Sequence, residues 1–199
     1  FKNQHLKVIM GKFSDLKIAL IADKFTENFL KYECKSINIS PLNYKFIINF
    51  WKPDILLVES CWEGKRNSWK YKVAKYPDSL KRNNNNLKKV VDYAKKLYIP
   101  TVFWNKDDGV HFERFIDSAK LFDHIFTVDL NKLESYKSLC KATKTFDVLS
   151  FAINPKIHFP QNRERKNRIC FLGSYYKNQH KERARFQEFA FDNLASYGL

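Results

Sequence analysis

The stretch that decides the fold spans residues 100–115 and reads PTVFWNKDDGVHFERF. Its first part, residues 101–104, is a short run of β-branched and aromatic side chains, which is typical of a buried strand. Polar residues follow from Asn105, and an apolar stripe at helical spacing begins near Val110. The stretch therefore predicts a strand that passes into a helix through a charged turn. In open α/β sheets, ligands bind at this carboxyl end of the strands.

Further apolar runs with strand character alternate with helical patterns along the chain, at residues 16–23, 54–60, 124–129 and 148–152. Each connection is long enough for a crossover, which predicts parallel pairing. We therefore expect an α/β fold in which helices flank a five-stranded parallel sheet over residues 16–153. Because the strands end in polar residues, the loops after Asp23, Ser60 and Trp104 should lie on one rim.

The pattern changes after residue 153. Residues 154–167 contain Pro155, Pro160 and a charged run, which favours a linker between domains. Residues 168–174 form a new apolar run that ends in Gly173 and Ser174, and a helical pattern follows from about His180 to Ala195. The predicted organisation is a domain over residues 1–153, a linker, and an incomplete second α/β domain over residues 168–199.

Composition limits the classes of function. The chain has 199 residues, 36 Lys and Arg against 21 Asp and Glu, and a formal net charge of +15. Such a charge favours an anionic partner such as nucleic acid, a lipid surface or a phosphorylated small molecule, although lysine-rich usage also reflects an AT-rich genome. No apolar run reaches the roughly 18 residues of a membrane-spanning helix. The four cysteines show neither CxxC spacing nor a Cys/His cluster, so we expect no metal site and a cytosolic protein.

The charged turn is the first candidate site. Asp107 and Asp108 are candidates for acid–base chemistry, but either could instead cap the following helix. The same turn holds four more polar or aromatic side chains: Trp104, Asn105, Lys106 and His111. Histidine serves as a general base near neutral pH, although a structural role for His111 is also common. The presence of so many polar and aromatic side chains in one turn favours a binding or catalytic site.

Two further segments leave alternatives open. Residues 61–71 form a loop rich in aromatic and cationic residues, including Trp62, which is either a binding wall or a packed surface loop. Gly173 and Ser174 could bring backbone N–H groups to a diphosphate at a helix N-terminus, with Arg183 nearby, or could form an ordinary turn. The sequence contains no GxGxxG fingerprint, Walker loop, nucleophile elbow or HExxH motif.

Six motifs in chain order carry a resemblance to a known family. They are KIALIADKFT at 17–26, KPDILLVESCW at 52–62, PTVFWNKDD at 100–108, FERF at 112–115, AKLFD at 119–123 and CFLGSYY at 170–176. Together they resemble the CgeB-like glycosyltransferases, bacterial proteins named for a spore-maturation protein and often tied to surface polysaccharides. The match runs from about Leu16 to the C-terminus. Gly109 departs from it, since we expect proline there in relatives.

This resemblance implies a GT-B enzyme, in which two Rossmann-like domains face a cleft. The N-terminal domain holds the acceptor and the C-terminal domain holds the nucleotide-sugar. The chain would then comprise the whole acceptor domain and only the first βα unit of the donor domain, so we expect residues 1–199 alone to be inactive. The implied reaction moves a sugar from a nucleotide-sugar to a glycan or another hydroxyl acceptor, with neither a metal nor another cofactor.

In this reaction a carboxylate or imidazole deprotonates the acceptor hydroxyl. We rank Asp107 first as the base, because it lies at the tip of the turn, and Glu59 second, because burial at a strand end should raise its pKa. His111 is the third candidate, and Asp108 should cap the helix, which would lower its pKa. The expected substrate-binding residues are Asp23, Ser60, Trp62, Trp104, Asn105, Lys106 and Asp108. The residues expected at the donor phosphates are Gly173, Ser174, Tyr175 and Arg183.

The alternative is a non-catalytic α/β module that binds an anionic ligand or nucleic acid through the net charge. A receiver domain would need an acidic pair after its first strand, and the single Asp23 fits that requirement poorly. For the transferase we expect no nucleic-acid partner, a cytoplasmic location and peripheral contact with an anionic membrane.

Overall fold

The computed structural model describes residues 13–166, 169–175, 177–178 and 180–197. Within this part of the chain, six strands form one sheet: β1 (Lys17–Ile21), β2 (Lys35–Asn38), β3 (Ile55–Glu59), β4 (Thr101–Asn105), β5 (His124–Thr127) and β6 (Thr145–Val148). Every neighbouring pair is parallel, and the spatial order is β2-β1-β3-β4-β5-β6. The connecting helices are α1 (Lys24–Leu30), α2 (Tyr44–Trp51), α3 (Asn85–Lys96), α4 (Phe112–Ala119) and α5 (Leu133–Leu139). The predicted α/β class is confirmed, and the fold is Rossmann-like.

The two faces of the sheet are packed unequally. Along β1, Ala19 and Ile21 belong to a large buried cluster that contains the apolar faces of α3 and α4 and the buried Tyr136 of α5. The alternate residues Ile18 and Leu20 belong to a small cluster with Leu30 of α1. Alternation of side chains along a strand sends successive residues to opposite faces. The sheet thus has one face with an extensive core and one that α1 covers near β1 and β3.

Two details of the predicted sheet were wrong. The strand β2 was not predicted, because Lys35–Asn38 is an edge strand without an apolar run. The strand expected over residues 148–152 lies earlier in the chain, as β6, which spans Thr145–Val148. Residues 149–152 lie beyond the strand and line a cavity, and of these the Leu149 N–H still donates to the Thr127 carbonyl of β5.

Contacts divide the chain into two compact units after His158. In the second unit, the expected helix forms as α6 (Lys181–Leu194). The strand expected over residues 168–174 is not formed in the described residues 169–174, and Arg168 lies outside the described part. The assignment of this unit to a donor domain stays a prediction. None of the helices in the described residues is long and apolar enough to cross a membrane.

Candidate functional site

The loops after β1, β3 and β4 meet at the carboxyl edge of the sheet, as predicted. The strand order reverses between β1 and β3, and in open α/β sheets the crevice at such a switch point binds ligands. Asp23 follows β1 at the N-cap position of α1, and its Oδ1 accepts from the Gly64 backbone N–H at 2.6 Å. Its Oδ2 accepts from the Trp62 N–H at 3.3 Å. Asp23 therefore ties the first two loops together, with both oxygens engaged.

A cluster of four side chains, here called the rim cluster, consists of Ser60, Trp62, Asp107 and His111. The Ser60 hydroxyl donates to Asp107 Oδ2 at 2.7 Å, and the Trp62 indole N–H donates to Asp107 Oδ1 at 3.3 Å. The His111 ring lies edge-on to Trp62, with centroids 5.1 Å apart. Asp107, Trp62 and His111 are partly exposed. The rim cluster thus presents an oriented carboxylate beside an imidazole at the edge where ligands bind.

Glu59 and Lys106 form a pair beneath the rim cluster. Glu59 Oε1 accepts from the Asp23 backbone N–H at 2.6 Å, and Oε2 lies 2.7 Å from Lys106 Nζ. The Glu59 side chain is 0% exposed and that of Lys106 is 13% exposed. Burial raises the pKa of Glu59, as predicted, and the Lys106 ammonium offsets part of that rise. The pair also reaches the first helix, because Lys106 Nζ donates to Thr26 Oγ1 at 3.1 Å.

A second cluster, here called the inner cluster, consists of Asn105, Asp108, Thr127 and Tyr136. Thr127 donates to Asp108 Oδ2 at 2.5 Å, and the Tyr136 hydroxyl lies 2.9 Å from the same oxygen. Asn105 Nδ2 donates to Asp108 Oδ1 at 2.7 Å. Asn105, Thr127 and Tyr136 are all fully buried. The inner cluster ties the end of β4 to β5 and α5.

The expected helix cap at Asp108 is wrong. His111 occupies the N-cap position of α4, and no side chain caps that helix end. Asp108 turns to the inner cluster instead, where burial raises its pKa in place of the expected lowering. Burial likewise raises the pKa of Tyr136, with the Asp108 charge as the next cause. The predicted substrate-binding role of Asn105 is not supported by its position, because its side chain lies in the interior.

Two glycines shape the loops of this edge. Gly64 has φ of +64°, and a Cβ there would lie 2.8 Å from the Trp69 side chain. Trp69 is fully buried and donates to the Ile39 carbonyl at 2.8 Å. The loop over residues 61–71 therefore has features of both a packed loop and a binding wall, since Trp69 packs in the interior and Trp62 belongs to the rim cluster. Gly109 has φ of +92°, which proline, fixed near −65°, does not adopt.

The residues expected at the donor phosphates lie in the second unit. Gly173 and Ser174 do not precede the helix directly, since α6 begins at Lys181. The Tyr175 hydroxyl donates to Glu188, a bond that raises the pKa of Tyr175. Arg183 is near Gly173, where a Cβ would lie 3.7 Å from its guanidinium. The expected turn at a helix N-terminus is absent from these described residues, and the phosphate-binding role stays a prediction.

Sequence reasoning missed an apolar cavity of about 180 Å³ beside the carboxyl edge. It lies between α1, the strands β3 and β4, and residues 149–152. Trp104, expected to bind substrate, lines it and donates from its indole N–H to the Leu149 carbonyl at 2.9 Å. The spacing of Phe25 and Phe29 on α1 could have indicated it, because residues i and i+4 share a helix face.

Within the described part of the chain, no group of three or more His, Cys, Asp or Glu side chains could hold a metal ion. Comparison with protein-family models, with curated proteins and with solved structures gave no match to this chain. The resemblance to the CgeB-like glycosyltransferases therefore rests on the sequence motifs alone.

Proposed function

We propose that residues 13–158 form the acceptor-binding domain of a CgeB-like glycosyltransferase of the GT-B class. The observation that carries the proposal is the rim cluster. Its Asp107 carboxylate stands at the carboxyl edge of a parallel sheet, held by Ser60 and Trp62 and partly open to solvent. A carboxylate oriented by neutral donors and accessible to a ligand is suited to accept a proton.

The three candidate bases differ in access. Glu59 is fully buried and occupied by Lys106 and the Asp23 N–H, so an acceptor would have to displace those partners. His111 is partly exposed, but its ring packs edge-on against Trp62. Asp107 also has a partner on each oxygen, but it is partly exposed to solvent, and that exposure supports its first rank. Glu59 is better suited to hold Lys106 and the start of α1 in position.

In the proposed step, Asp107 takes the proton of the acceptor hydroxyl while the hydroxyl oxygen attacks the anomeric carbon. The bond between that carbon and the diphosphate breaks, and the nucleotide diphosphate leaves with the electron pair. The charge on the leaving group needs cations or helix N-termini, which the proposal assigns to the donor domain. The proposal includes surface polysaccharide synthesis at the cytoplasmic side of a membrane, because a net charge of +15 attracts anionic lipids.

The experiment measures nucleotide diphosphate release by the full-length enzyme from a panel of UDP-, GDP- and dTDP-sugars. Release should depend on both one donor and an added hydroxyl acceptor, and the chain of residues 1–199 should show none. If no donor in the panel gives acceptor-dependent release, the transferase proposal fails. Robust transfer by residues 1–199 alone would contradict the division of labour between two domains.

One observation favours the alternative of an anion-binding module. A depression beside α1 is lined by Lys24, Lys31, Lys65 and Arg66, with Glu27 as its acidic residue. Lys65 pairs with Glu27 at 2.5 Å, which leaves a surplus of positive charge. Nucleic-acid binding there would weaken steeply with salt, because bound phosphates release counterions. Affinity for a single-stranded oligonucleotide between low and high salt separates this function from glycosyl transfer.

A further inference from the structure

The apolar cavity beside the carboxyl edge has a defined boundary. Its volume is about 180 Å³, and its lining comprises Phe25, Thr26, Phe29, Leu30, Leu57, Trp104 and residues 149–152. Two of its lining residues, Phe25 and Phe151, are each 57% exposed. Leu57 lies partly buried at its floor, on the small apolar cluster of the sheet. The cavity is thus bounded by the sheet, by α1 and by residues 149–152.

The segment over residues 149–154, here called the strap, is anchored at both ends. At its start, Leu149 donates to the Thr127 carbonyl at 2.8 Å and accepts from the Trp104 indole at 2.9 Å. At its end, Asn154 is 1% exposed and donates to the Phe29 carbonyl and to Glu33 Oε1, each at 3.0 Å. These bonds fix the strap across the space between β4 and α1. The fold itself therefore holds the cavity open.

Size and lining indicate the kind of group that fits. An apolar cavity of about 150 Å³ in another protein binds benzene, so this cavity has room for one six-membered ring. Four of its lining side chains are aromatic: Phe25, Phe29, Trp104 and Phe151. Aromatic rings prefer offset or edge-to-face contacts, which a bound ring could make with several of them. A sugar ring carries hydroxyl groups on most of its carbons, and in this apolar cavity those groups would lack hydrogen-bond partners.

Lys106 does not line the cavity, but its ammonium lies close to three residues that do. Lys106 Nζ lies 5.7 Å from the ring centroids of both Phe25 and Trp104. It also donates to Thr26, another lining residue, and pairs with Glu59. An ammonium has three N–H donors, and these two partners among the described residues engage two of them. The third is available for an oxygen on a ring in the cavity.

We propose that the cavity binds a single aromatic ring that carries a hydroxyl group, with that oxygen accepting from Lys106 Nζ. The ring is the apolar part of the acceptor, a statement that rests on the proposed function, whereas the binding itself does not. The rim cluster stands at the same edge, since the Lys106 backbone N–H donates to Ser60 Oγ at 2.8 Å. An acceptor held in this way would reach the edge where Asp107 lies.

The test is a titration of the ¹⁵N-labelled chain with p-cresol, followed at the Trp104 indole N–H signal by NMR. A Trp104→Phe variant identifies that signal among the four tryptophans. We expect a saturable shift, and binding of p-cresol about tenfold tighter than toluene, since a hydrogen bond to a charged group contributes about 1.5–3 kcal/mol. Cyclohexanol, which lacks the aromatic ring, should also bind more weakly than p-cresol.

Two variants fill the cavity from opposite sides. Leu57→Phe fills it from the sheet and Ala152→Leu from the strap, and each should weaken p-cresol binding at least tenfold. The matched control is Leu42→Phe, because Leu42 is 97% exposed and lies outside the lining. If Leu57→Phe fails to fold, Ala152→Leu decides. The proposal is overturned if p-cresol gives no saturable shift, if toluene binds as tightly, or if a folded filling variant binds like the control.

The binding test needs neither a donor nor turnover, so it separates two failures. Binding of p-cresol without any acceptor-dependent nucleotide release means that the ring site stands and the transferase proposal fails. Transfer to acceptors without a ring, together with no p-cresol binding, means that the transferase stands and the ring site fails.

Discussion

The rim cluster and the inner cluster stand at the same edge of the sheet, and their aspartates are neighbours in the chain. Asp107 is held by Ser60 and Trp62 and is oriented toward the loop after β3. Asp108 is held by three fully buried side chains of β4, β5 and α5. Two adjacent carboxylates therefore have different tasks. Asp107 stays partly accessible to solvent. Asp108 links β4 to β5 and α5 through its hydrogen bonds.

The role of a carboxylate therefore depends on its neighbours more than on its place in a motif. Removing Asp107 takes an acceptor from the Trp62 indole, which is partly exposed, and from one buried group, the Ser60 hydroxyl. Removing Asp108 takes an acceptor from three fully buried side chains, Asn105, Thr127 and Tyr136, although Asn105 still donates to the Tyr136 oxygen. Buried polar groups without partners are costly, whereas exposed ones are not.

The largest effect should come from the Glu59–Lys106 pair beneath the rim cluster. Lys106→Met leaves the Glu59 charge buried and unpaired, which should lower the free energy of unfolding by about 3–5 kcal/mol. The matched control is Lys88→Met, which breaks an exposed pair with Asp92 and should cost less than about 1 kcal/mol. Urea titration measures both variants.

The double variant Glu59→Gln/Lys106→Met separates the charge from the shape. Glutamine keeps an acceptor for the Asp23 N–H without a buried charge, so the double variant should recover more than half of the loss. If Lys106→Met costs no more than Lys88→Met, the pair is not desolvated in solution. The rim cluster would then not lie above a rigid, buried ion pair.

If the chain belongs to the proposed transferase, Asp107→Asn should lower kcat of the two-domain enzyme by about 10²-fold or more, the usual contribution of a general base. Stability should change little, because Asp107 is partly exposed. The matched control is Asp147→Asn on β6, an exposed aspartate away from the rim. Initial rates of nucleotide diphosphate release measure the effect. Near-normal turnover in Asp107→Asn together with loss in Glu59→Gln would reverse the ranking of the bases.

The inner cluster should respond to substitution through stability. Asp108→Ala removes the acceptor for three buried donors and should cost about 2–3 kcal/mol of unfolding free energy. Asp107→Ala is the paired control and should cost less than Asp108→Ala, since it takes an acceptor from one buried side chain, Ser60, instead of three. Equal losses for the two alanine variants, measured by urea titration, would show that the two clusters do not differ as described.

Much of this arrangement could be predicted from the sequence. Apolar runs that end in polar residues indicated the parallel sheet and its common edge, because the carboxyl ends of parallel strands meet on one side. Burial of Glu59 at a strand end was likewise predicted from the apolar run before it. These properties depend on residues close together in the chain, and local patterns report them well.

The rest depended on contacts between distant residues. Lys35–Asn38 joins the sheet only by pairing with β1, and its own residues carry no strand signal. The bond of Asp108 to Tyr136 spans 28 residues, so a local pattern favoured the helix cap instead. Residues 149–152 line a cavity. A mostly apolar run does not by itself show whether its residues form a strand or line a cavity.

The smallest predicted effect concerns pH and tests the origin of the Asp108 pKa. Burial raises that pKa above the unfolded value, with Asp129 adding to the rise and Lys132 opposing it. The folded state then binds more protons than the unfolded state above about pH 4, so the stability contributed at this site falls as pH rises. Asp108→Asn lacks this titration, so the loss that it causes should be largest at and below the unfolded pKa of about 4 and shrink as the pH rises above it.

Asp117→Asn provides a control of opposite sign. The hydrogen bond from Lys75 lowers the pKa of Asp117, so its contribution is present above the unfolded pKa and disappears as the pH falls. The loss in Asp117→Asn should therefore grow as pH rises from about 3 to about 5 and then level off. Urea titrations of both variants and the wild type across this range measure the two trends. If the loss in Asp108→Asn also grows with pH, the carboxylate is stabilised in its charged form, as a helix cap would be, and the inner cluster is not the buried site described.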